Sequence, residues 1–449
     1  MRGFLVLLLA VASAPVLGQT ANRPDVAAEL LAIVEENEAA QPQTGLVVAV
    51  AFPDGSVWAG AAGWSDPRIA DPVRVDHRFG FASISKTFLA AVVLQLVAEG
   101  VLDLEDPLRD YIGPFSHVNG GITIRQLLRH ETGVYNYTDH PDLGRRLRED
   151  LNRTWSSRAI VTDFVNPPLY FAGFGASYSN TNYHLLGMIV EAATGRTLGQ
   201  ELRDRLLDPL ALASTYYPAE EPSNGEVVQA WWDETGDGVL DDFSALYDSR
   251  SFVTARRSAG GMMSTSGDIA RWGRALFSGS VLPDSILAEM RAFIALSGVG
   301  PVWTGYGLGI QQYQIAGIEM WGHSGLIAGS TSLMVYSPEY GFSIALVDND
   351  ARSAHVTTAG ALVEYLKGVD FTAVGVERPS LGGAEVVPYP NPVVSGEVVR
   401  FAGARAEVEV FDMLGRRVFV GFGPVSTAGF VAGVYVYRSG GGTGVLVVR

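Results

Sequence analysis

Hydrophobic and polar positions follow two different periods along residues 1–370 of the chain. A spacing of three to four residues predicts helices over Pro24–Ala39, Ser83–Glu99, Asn180–Thr194 and Thr357–Leu366. Glycine occurs within two residues of the end of the last three segments, where helices commonly stop in a left-handed conformation. From the end of the second helix to about Pro167, the pattern is one of helical segments joined by polar loops.

Alternation with a period of two predicts strands, and the strands fall near the two ends of the same region. They are Gly45–Phe52, Ser56–Ala62, Tyr306–Ile315, Ile318–Gly322, Ser330–Tyr336 and Phe342–Val347. Helical segments separate the two groups of strands. We therefore expect one α/β domain, with an antiparallel sheet built from distant parts of the chain and flanked by helices.

Residues 387–449 have a different pattern, in which short alternating runs are separated by glycine-rich turns. The runs are Val398–Phe401, Ala406–Phe411, Arg417–Val420, Gly433–Arg438 and Val445–Val448. This pattern predicts a small all-β sandwich. Residues 371–386 carry Gly, Pro and Ser without a strong period, so we interpret them as a linker, and residues 19–370 form the larger domain.

The N-terminus has the composition of a secretory signal peptide. Arg2 precedes an apolar run from Phe4 to Ala12, and small or apolar residues lead up to Gly18. The run is shorter than the roughly 20 residues that a membrane-spanning helix requires. We therefore predict that residues 1–18 direct export and are removed, so that the protein passes through the periplasm and is secreted or held on the outer cell surface.

Composition excludes several kinds of chemistry. The 449 residues include no cysteine, which removes disulfides, thiolate metal sites and cysteine nucleophiles. Acidic residues outnumber basic ones by 48 to 32, and the formal net charge of −16 argues against nucleic acid as a partner. We expect a monomer that acts on a small molecule or a peptide.

Ser83 and Lys86 are spaced by one turn of a predicted helix, which places them on the same face. A neutral amine at that distance can take the proton of the serine hydroxyl, and burial would lower the lysine pKa. Of the 32 Lys and Arg residues only Lys86 and Lys367 are lysine, the type that can lose its proton. Without further motifs, a helix-capping serine followed by a solvent-facing lysine explains the pair equally well.

Two further motifs place polar groups at the ends of regular elements. Tyr178-Ser179-Asn180 precedes a predicted helix, so a phenol could pass a proton and an amide could hold the lysine and a substrate carbonyl. Trp321-Gly322-His323-Ser324-Gly325, followed by Leu326, lies at a strand end that could bind substrate and offer an N–H to an oxyanion. A helix cap and a hydrogen-bonded structural histidine are the alternatives.

Taken in order, these motifs resemble the serine β-lactamase and penicillin-binding-protein superfamily. Its branch of class C β-lactamases, D-alanyl-D-alanine carboxypeptidases and esterases carries Ser-x-x-Lys, Tyr-x-Asn and then Lys-Thr-Gly or His-x-Gly. The surrounding residues at 81–88, 127–133, 178–183 and 260–265 match as well. The resemblance covers roughly residues 24–369 and implies a transpeptidase-like fold with a helical subdomain.

The resemblance also implies a role for each motif residue. Ser83 would be acylated, and Lys86 and Tyr178 would share the acid and base work, without a decision as to which of them is the acylation base. The remaining substrate-binding positions would be Asn180, His323, Ser324, Gly325 and Leu326, with the N–H groups of residues 83 and 326 forming an oxyanion hole. No cofactor is implied.

Position 323 departs from the pattern of β-lactamases in this branch, which usually carry lysine there. Efficient β-lactam hydrolysis is therefore in doubt, and a D-Ala-D-Ala peptide, a β-lactam and a small ester all stay open as substrates. We also expect His323 to titrate near neutral pH, as histidine ordinarily does. The alternative function is a non-catalytic ligand-binding protein that has kept the fold.

The C-terminal region resembles the sorting domain of proteins exported by type IX secretion. Tyr389-Pro390-Asn391-Pro392 opens it, Asp412–Val418 and Ala432–Tyr437 follow, and Val445–Arg449 closes the chain. The resemblance implies the secretion machinery as a partner. A carbohydrate- or wall-binding sandwich is the alternative.

Two other polar segments have structural explanations. His130, in the segment 127–133, is interpreted as a packed, hydrogen-bonded histidine. Asp233–Asp242 resembles the start of a calcium loop, but Ser244 stands where the bidentate glutamate would be needed. We interpret this segment as a solvated acidic turn and predict no metal site.

Overall fold

A computed structural model describes residues 23–39, 45–170, 172–295, 303–350 and 355–371, together with short strands between residues 387 and 448. The predicted signal segment 1–18 and nearly all of the predicted linker lie outside these residues. The chain divides into two compact units, Met1–Asp370 and Phe371–Arg449.

The larger unit is built on an eight-stranded antiparallel sheet with the order β3-β2-β1-β12-β11-β10-β9-β8. Two shorter pairs, β4 with β7 and β5 with β6, lie outside it. The strands are β1 (Gly45–Ala51), β2 (Val57–Asp66), β3 (Asp71–Pro72), β4 (Phe79–Gly80), β5 (Trp231–Trp232), β6 (Asp241–Asp242), β7 (Met263–Ser264), β8 (Trp303–Tyr306), β9 (Gln311–Ile315), β10 (Ile318–Ile327), β11 (Ser330–Tyr336) and β12 (Ser343–Asp348).

Most of the helices lie between β4 and β8 in the chain, and others flank the sheet. They are α1 (Pro24–Ala39), α2 (Ser85–Ala98), α3 (Ile124–Leu128), α4 (Leu143–Glu149), α5 (Ser157–Phe164), α6 (Asn180–Thr194), α7 (Leu198–Leu202), α8 (Ser244–Tyr247), α9 (Arg250–Gly260), α10 (Ser266–Phe277), α11 (Asp284–Met290) and α12 (His355–Lys367). Helices α1, α10 and α12 pack on the sheet, whereas α2, α6 and α9 pack against one another. The sheet drawn from both ends of the chain and its flanking helices are therefore confirmed.

Helix α2 is the centre of the helical part because its sequence is apolar on every side. All side chains from Ser85 to Leu94 are buried, and most are Ala, Val, Leu or Phe. A helix without a polar face is stable only when it is enclosed, and each large apolar side chain gains about 1.5–3 kcal/mol from full burial. This enclosure carries Lys86, the second residue of the helix, into the protein interior.

Helices α1 and α6 are confirmed to the residue, whereas most other predicted elements of the larger unit differ in their bounds, and three of these differences bear on the site. The predicted strand Tyr306–Ile315 is split into β8 and β9, because the chain turns at Gly309, which has a φ of 83°. The predicted strand Ile318–Gly322 extends to Ile327. The predicted helix start at Ser83 is a 3-10 turn, Ala82–Ile84, and the α-helix begins only at residue 85.

The C-terminal unit contains strands alone among its described residues, as the alternating pattern predicted. They form two antiparallel sheets with the orders β13-β14-β17 and β16-β15-β18-β19. The strands are β13 (Val387–Tyr389), β14 (Val398–Ala402), β15 (Val408–Asp412), β16 (Arg417–Gly421), β17 (Val425–Ser426), β18 (Gly433–Ser439) and β19 (Gly442–Val448). In the described ranges of both units, every helix is too short or too polar to cross a bilayer.

Candidate active site

The turn that carries Ser83 is strained, and hydrogen bonds from the sheet hold it in place. Ala82 has a φ of 48°, in the left-handed region that costs a residue with a side chain about 1–3 kcal/mol. The hydroxyls of Ser330 and Ser332 on β11 donate to the carbonyl oxygens of residues 80 and 81, at 3.1 and 3.0 Å. These bonds fix the chain immediately before the strained residue and so determine where the Ser83 hydroxyl lies.

The amine of Lys86 contacts three oxygen atoms. Its Nζ lies 3.0 Å from Ser83 Oγ, 2.7 Å from Asn180 Oδ1 and 2.5 Å from the carbonyl oxygen of Ala259. The carbonyl and amide oxygens can only accept hydrogen bonds. A neutral amine therefore uses its two N–H groups on residues 180 and 259 and directs its lone pair at the serine hydroxyl.

Burial makes the neutral form of this lysine accessible. Lys86 is completely buried, and this desolvation lowers its pKa well below the ordinary value. The rings of Tyr178 and Tyr183 lie 5.0 and 5.3 Å from Nζ, and the contacts described for Lys86 include no carboxylate that would favour its charged form. Lys86 therefore meets the main requirement for a general base.

Asn180 is held in turn by a residue that the sequence did not single out. Asn136 Oδ1 accepts hydrogen bonds from the backbone N–H and the side-chain Nδ2 of Asn180, at 3.0 and 3.2 Å. This contact orients the amide so that its oxygen faces Lys86. Asn180 is also the first residue of α6, so its side chain links the start of this helix to Lys86.

Tyr178 lies beside the same pair. Its hydroxyl oxygen is buried and makes no hydrogen bond of good geometry among the described residues, but Ser83 is close enough to interact with it. Burial raises the pKa of Tyr178 well above its ordinary value, against the opposing effect of the Ser83 hydroxyl. A neutral phenol in this place can relay a proton, whereas Lys86 is the group whose environment favours an unprotonated state.

The edge of β10 presents a backbone donor beside the nucleophile turn. The pairing of β9 with β10 ends where Gln311 faces Gly322. Beyond that point, the side chain of Gln311 accepts a hydrogen bond from the N–H of Ser324 at 2.7 Å. Successive N–H groups of a strand point to opposite sides, so the N–H of Leu326 lies on the same side as that of Ser324. It is therefore at an edge that β9 does not cover, as an oxyanion donor requires.

Gly325 allows this edge to approach Ser83. A Cβ atom at this position would overlap the carbonyl oxygen of Phe81 and the hydroxyl of Ser332, and would lie 3.0 Å from the Cβ of Ala82. Only glycine lets the two backbones come this close without a shift of the strand or the turn. The segment of β10 with the predicted substrate-binding residues thus lies next to the turn that carries Ser83.

His323 is buried, and its pKa differs from the expected one. It is 1% exposed, its Nδ1 lies 2.6 Å from the carbonyl oxygen of Ser324, and its Nε2 lies 3.1 Å from the hydroxyl of Tyr306. Burial and the charge of Lys86 lower the pKa of His323 to about 3. The expectation that it titrates near neutral pH was therefore wrong, because packing removes the water that would stabilise its charged form.

Four residues of the site escaped the sequence reasoning: Asn136, Tyr306, Ala259 and Gln311. Ala259 contributes only its backbone oxygen, which no side-chain pattern can reveal. Tyr306 and Gln311 lie on β8 and β9, inside a segment that was interpreted as a single ordinary strand. The nearest signal was the Gly-x-Gly spacing after residue 306, which marks the turn between them.

The acidic segment 233–242 forms the turn between β5 and β6 and ends in β6. The carboxylate of Asp233 accepts the backbone N–H groups of Gly236, Asp237 and Gly238, at 2.7, 3.1 and 2.9 Å. Within the described ranges, no group of three or more His, Asp and Glu side chains is arranged to hold a metal ion. The carboxylate of Asp233, at the first position of the calcium-loop pattern, is thus already hydrogen-bonded to backbone N–H groups of its own segment.

Comparison with known proteins agrees with this geometry. The sequence profile of the Beta-lactamase family matches residues 32–366, and the chain belongs to that family. Its larger unit has the α/β transpeptidase-like fold, with an antiparallel sheet flanked by helices. The family and fold implied by the three motifs are thereby confirmed.

The chain is similar to several characterised proteins. It is 29% identical to Penicillin-binding protein 4 of Amycolatopsis lactamdurans, over 80% of this chain and 94% of that protein. A D-stereospecific amidohydrolase from Streptomyces sp. is 32% identical, with a TM-score of 0.64 over 75% of this chain and 97% of the other. A D-amino acid amidase from Ochrobactrum anthropi SV3, complexed with L-phenylalanine amide, is 25% identical, with a TM-score of 0.68 over 76% and 99%.

Proposed function

We propose that this serine hydrolase cleaves amides of D-configured amino acids or short peptides through an acyl-enzyme on Ser83. The observation that carries the proposal is the buried amine of Lys86, 3.0 Å from Ser83 Oγ and supported by two pure acceptors. The similarity to a D-stereospecific amidohydrolase and a D-amino acid amidase supports the choice of substrate class.

The first half of the reaction forms the acyl-enzyme. Lys86 takes the proton of the Ser83 hydroxyl while Oγ attacks the amide carbon, and the carbonyl oxygen gains a negative charge. The N–H groups of Ser83 and Leu326 stabilise that oxyanion, a contribution of about 10²–10³ in rate for one donor. When the C–N bond breaks, the proton passes from Lys86 by way of the Tyr178 hydroxyl to the leaving nitrogen.

The second half restores the free enzyme. A water molecule attacks the ester carbon, gives one proton to the same Lys86–Tyr178 pair and forms a second oxyanion in the same place. The bond between the carbon and Ser83 Oγ then breaks, Oγ regains its proton, and the carboxylic acid leaves. Every proton transfer uses side chains of the chain itself, so the proposal requires no cofactor.

The neutral state of His323 favours amides and esters without a carboxylate beside the reacting bond. Lysine at this position would supply a positive charge to a carboxylate, as in the Lys-Thr-Gly element of related enzymes. His323, with its pKa at about 3, is uncharged at neutral pH. β-Lactams and D-Ala-D-Ala peptides, which both carry a carboxylate, are therefore expected to be poorer substrates.

The test compares the wild-type chain with Ser83→Ala. The wild type is expected to take a covalent fluorophosphonate label and to hydrolyse a D-alanine p-nitroanilide faster than the L-isomer, nitrocefin or p-nitrophenyl butyrate. Ser83→Ala should lose both the label and turnover, whereas Ser280→Ala, at an exposed serine, should keep both. Absence of label from the wild type would instead favour a non-catalytic ligand-binding protein.

We further propose that the enzyme is exported, with residues 1–18 as signal and residues 387–449 as the sorting module for type IX secretion. The support is the sequence pattern of both segments. The test expresses the chain, with and without residues 387–449, in a bacterium that has this machinery, followed by cell fractionation and N-terminal sequencing. Retention of residues 1–18 in cytoplasmic protein would contradict the proposal.

A further inference from the structure

A tyrosine that no motif predicted lies between two buried histidines of the site. The hydroxyl oxygen of Tyr306 is 3.1 Å from His130 Nε2 and 3.1 Å from His323 Nε2. All three side chains are at most 1% exposed. Because water does not reach these groups, the protons on them are determined by the partners that the protein provides.

The proton on His130 can be assigned from the partners of its other nitrogen. His130 Nδ1 lies 3.2 Å from the backbone N–H of Ser179 and 3.2 Å from Nδ2 of Asn182. A backbone N–H can only donate, so Nδ1 carries no proton. The neutral ring therefore has its proton on Nε2 and donates it to the Tyr306 oxygen.

The proton on His323 has the opposite position. Its Nδ1 lies 2.6 Å from the backbone oxygen of Ser324, which can only accept, so Nδ1 carries the proton. Nε2 of the neutral ring is then an acceptor and takes the hydroxyl proton of Tyr306. The hydroxyl of Tyr183 also interacts with that of Tyr306, but it donates its own proton to the carbonyl oxygen of Leu128 at 3.1 Å.

The two ends of this chain hold opposite sides of the active site. At one end, His130 holds the residues on both sides of Tyr178. Its backbone oxygen accepts the N–H of Ser177 at 3.0 Å, and its ring accepts the N–H of Ser179. The rings of His130 and Tyr178 lie 4.3 Å apart. At the other end His323 precedes the strand edge that carries the oxyanion donor. We call the residues 83, 86, 178 and 180 the helix wall and residues 323–326 the strand wall.

We propose that Tyr306 is a positioning residue for the hydrolytic reaction, because its hydroxyl joins the two walls through one directed hydrogen-bond chain from His130 to His323. The proposal rests on the proposed function of the site. It also accounts for how two histidines can lie within electrostatic reach of Lys86 without adding charge. Each ring nitrogen has a partner while both rings stay neutral.

The direct test is nitrogen-15 NMR of histidine-labelled full-length protein at pH 7. We expect His130 to be protonated on Nε2 and His323 on Nδ1, with assignments taken from His130→Asn and His323→Asn variants. Identical tautomers, or a charged ring at either position, would overturn the proposal. Since this spectrum needs no substrate, it can fail while fluorophosphonate still labels Ser83, which separates it from the proposed function.

The kinetic test uses Tyr306→Phe, which keeps the ring and removes the hydroxyl. We expect kcat to fall about tenfold with KM changed less than about threefold, since a tenfold effect corresponds to about 1.4 kcal/mol of positioning in the transition state. Tyr216→Phe is the matched control, because its buried hydroxyl contacts Ser223 and Met263 outside the site. Equal kinetics of the two variants would overturn the proposal, and if Tyr306→Phe does not fold, the wild-type spectrum decides.

Discussion

The helix wall and the strand wall meet at one substrate position but differ in their electrostatics. The helix wall contains the amine of Lys86, whose burial lowers its pKa well below the ordinary value, so that its proton is easily lost. The strand wall contains His323, whose hydrogen bonds and burial keep it neutral. In the proposed mechanism this contrast amounts to a division of work, in which one wall moves protons and the other places the carbonyl group without competing for them.

The largest loss of activity is expected from Lys86→Arg, because it leaves the helix wall without a side chain that can release its proton. Arginine keeps the positive charge but does not release its proton at working pH, so Ser83 loses its base. We expect kcat/KM to fall about 10³-fold, within the range known for a general base. The measurement is hydrolysis of the D-alanine p-nitroanilide.

Lys367→Arg is the matched control for this change. The amine of Lys367 contacts the backbone oxygen of Ala316 and pairs with Glu364 at the end of α12, contacts that arginine can also make. Activity should stay within twofold of wild type. If Lys86→Arg were equally active, Lys86 would not be the base and the role would pass to Tyr178.

Gly325→Ala should separate the two walls. The added methyl group would overlap the carbonyl oxygen of Phe81, so the strand must shift away from the turn that carries Ser83. We expect a loss of about 10²-fold in kcat, comparable to the loss of one oxyanion donor. Gly360→Ala on α12, where the new methyl group has open space, should leave kcat unchanged, and equal effects of both would argue against a close approach of the walls.

His323→Lys should give the strand wall an amine, as the helix wall already has. A lysine ammonium on the strand wall would attract substrates with a carboxylate, so we expect the ratio of kcat/KM for nitrocefin over the D-alanine p-nitroanilide, which has no carboxylate, to rise about tenfold, or about 1.4 kcal/mol. The ratio is measured on both substrates with one enzyme preparation. An unchanged ratio would show that charge at position 323 does not select the substrate.

The smallest expected effect concerns pH. Acidification protonates Lys86 and removes the base, so kcat/KM of the wild type should rise with pH through the Lys86 pKa and then level off. His323, with a pKa of about 3, adds no second limb between about pH 5 and 8. In His323→Lys the extra positive charge should lower the pKa of Lys86 and move the limb to lower pH, as a pH profile of both enzymes would reveal.

The sequence predicted the helix wall better than the strand wall, for a physical reason. Ser83 and Lys86 are joined by one turn of backbone, so spacing alone brings them together, and the bounds of α6 follow from its own apolar pattern. The partner of His323 is Tyr306 on β8, which lies across β9 from β10 in the sheet, and no local period records that neighbourhood. The neutrality of His323 depends on that same packing, and so the sequence predicted the wrong titration behaviour.

The order of the large sheet also has a consequence for how the enzyme comes into being. Strand β1 pairs with β12, so Leu46 meets Asp348 only after about 300 further residues have been made. At roughly 5–20 residues per second, synthesis of that stretch takes roughly 15–60 s. Until Leu326 has been made, the nascent chain has Ser83 and Lys86 but lacks the second proposed oxyanion donor, so we expect no hydrolase activity before synthesis is nearly finished.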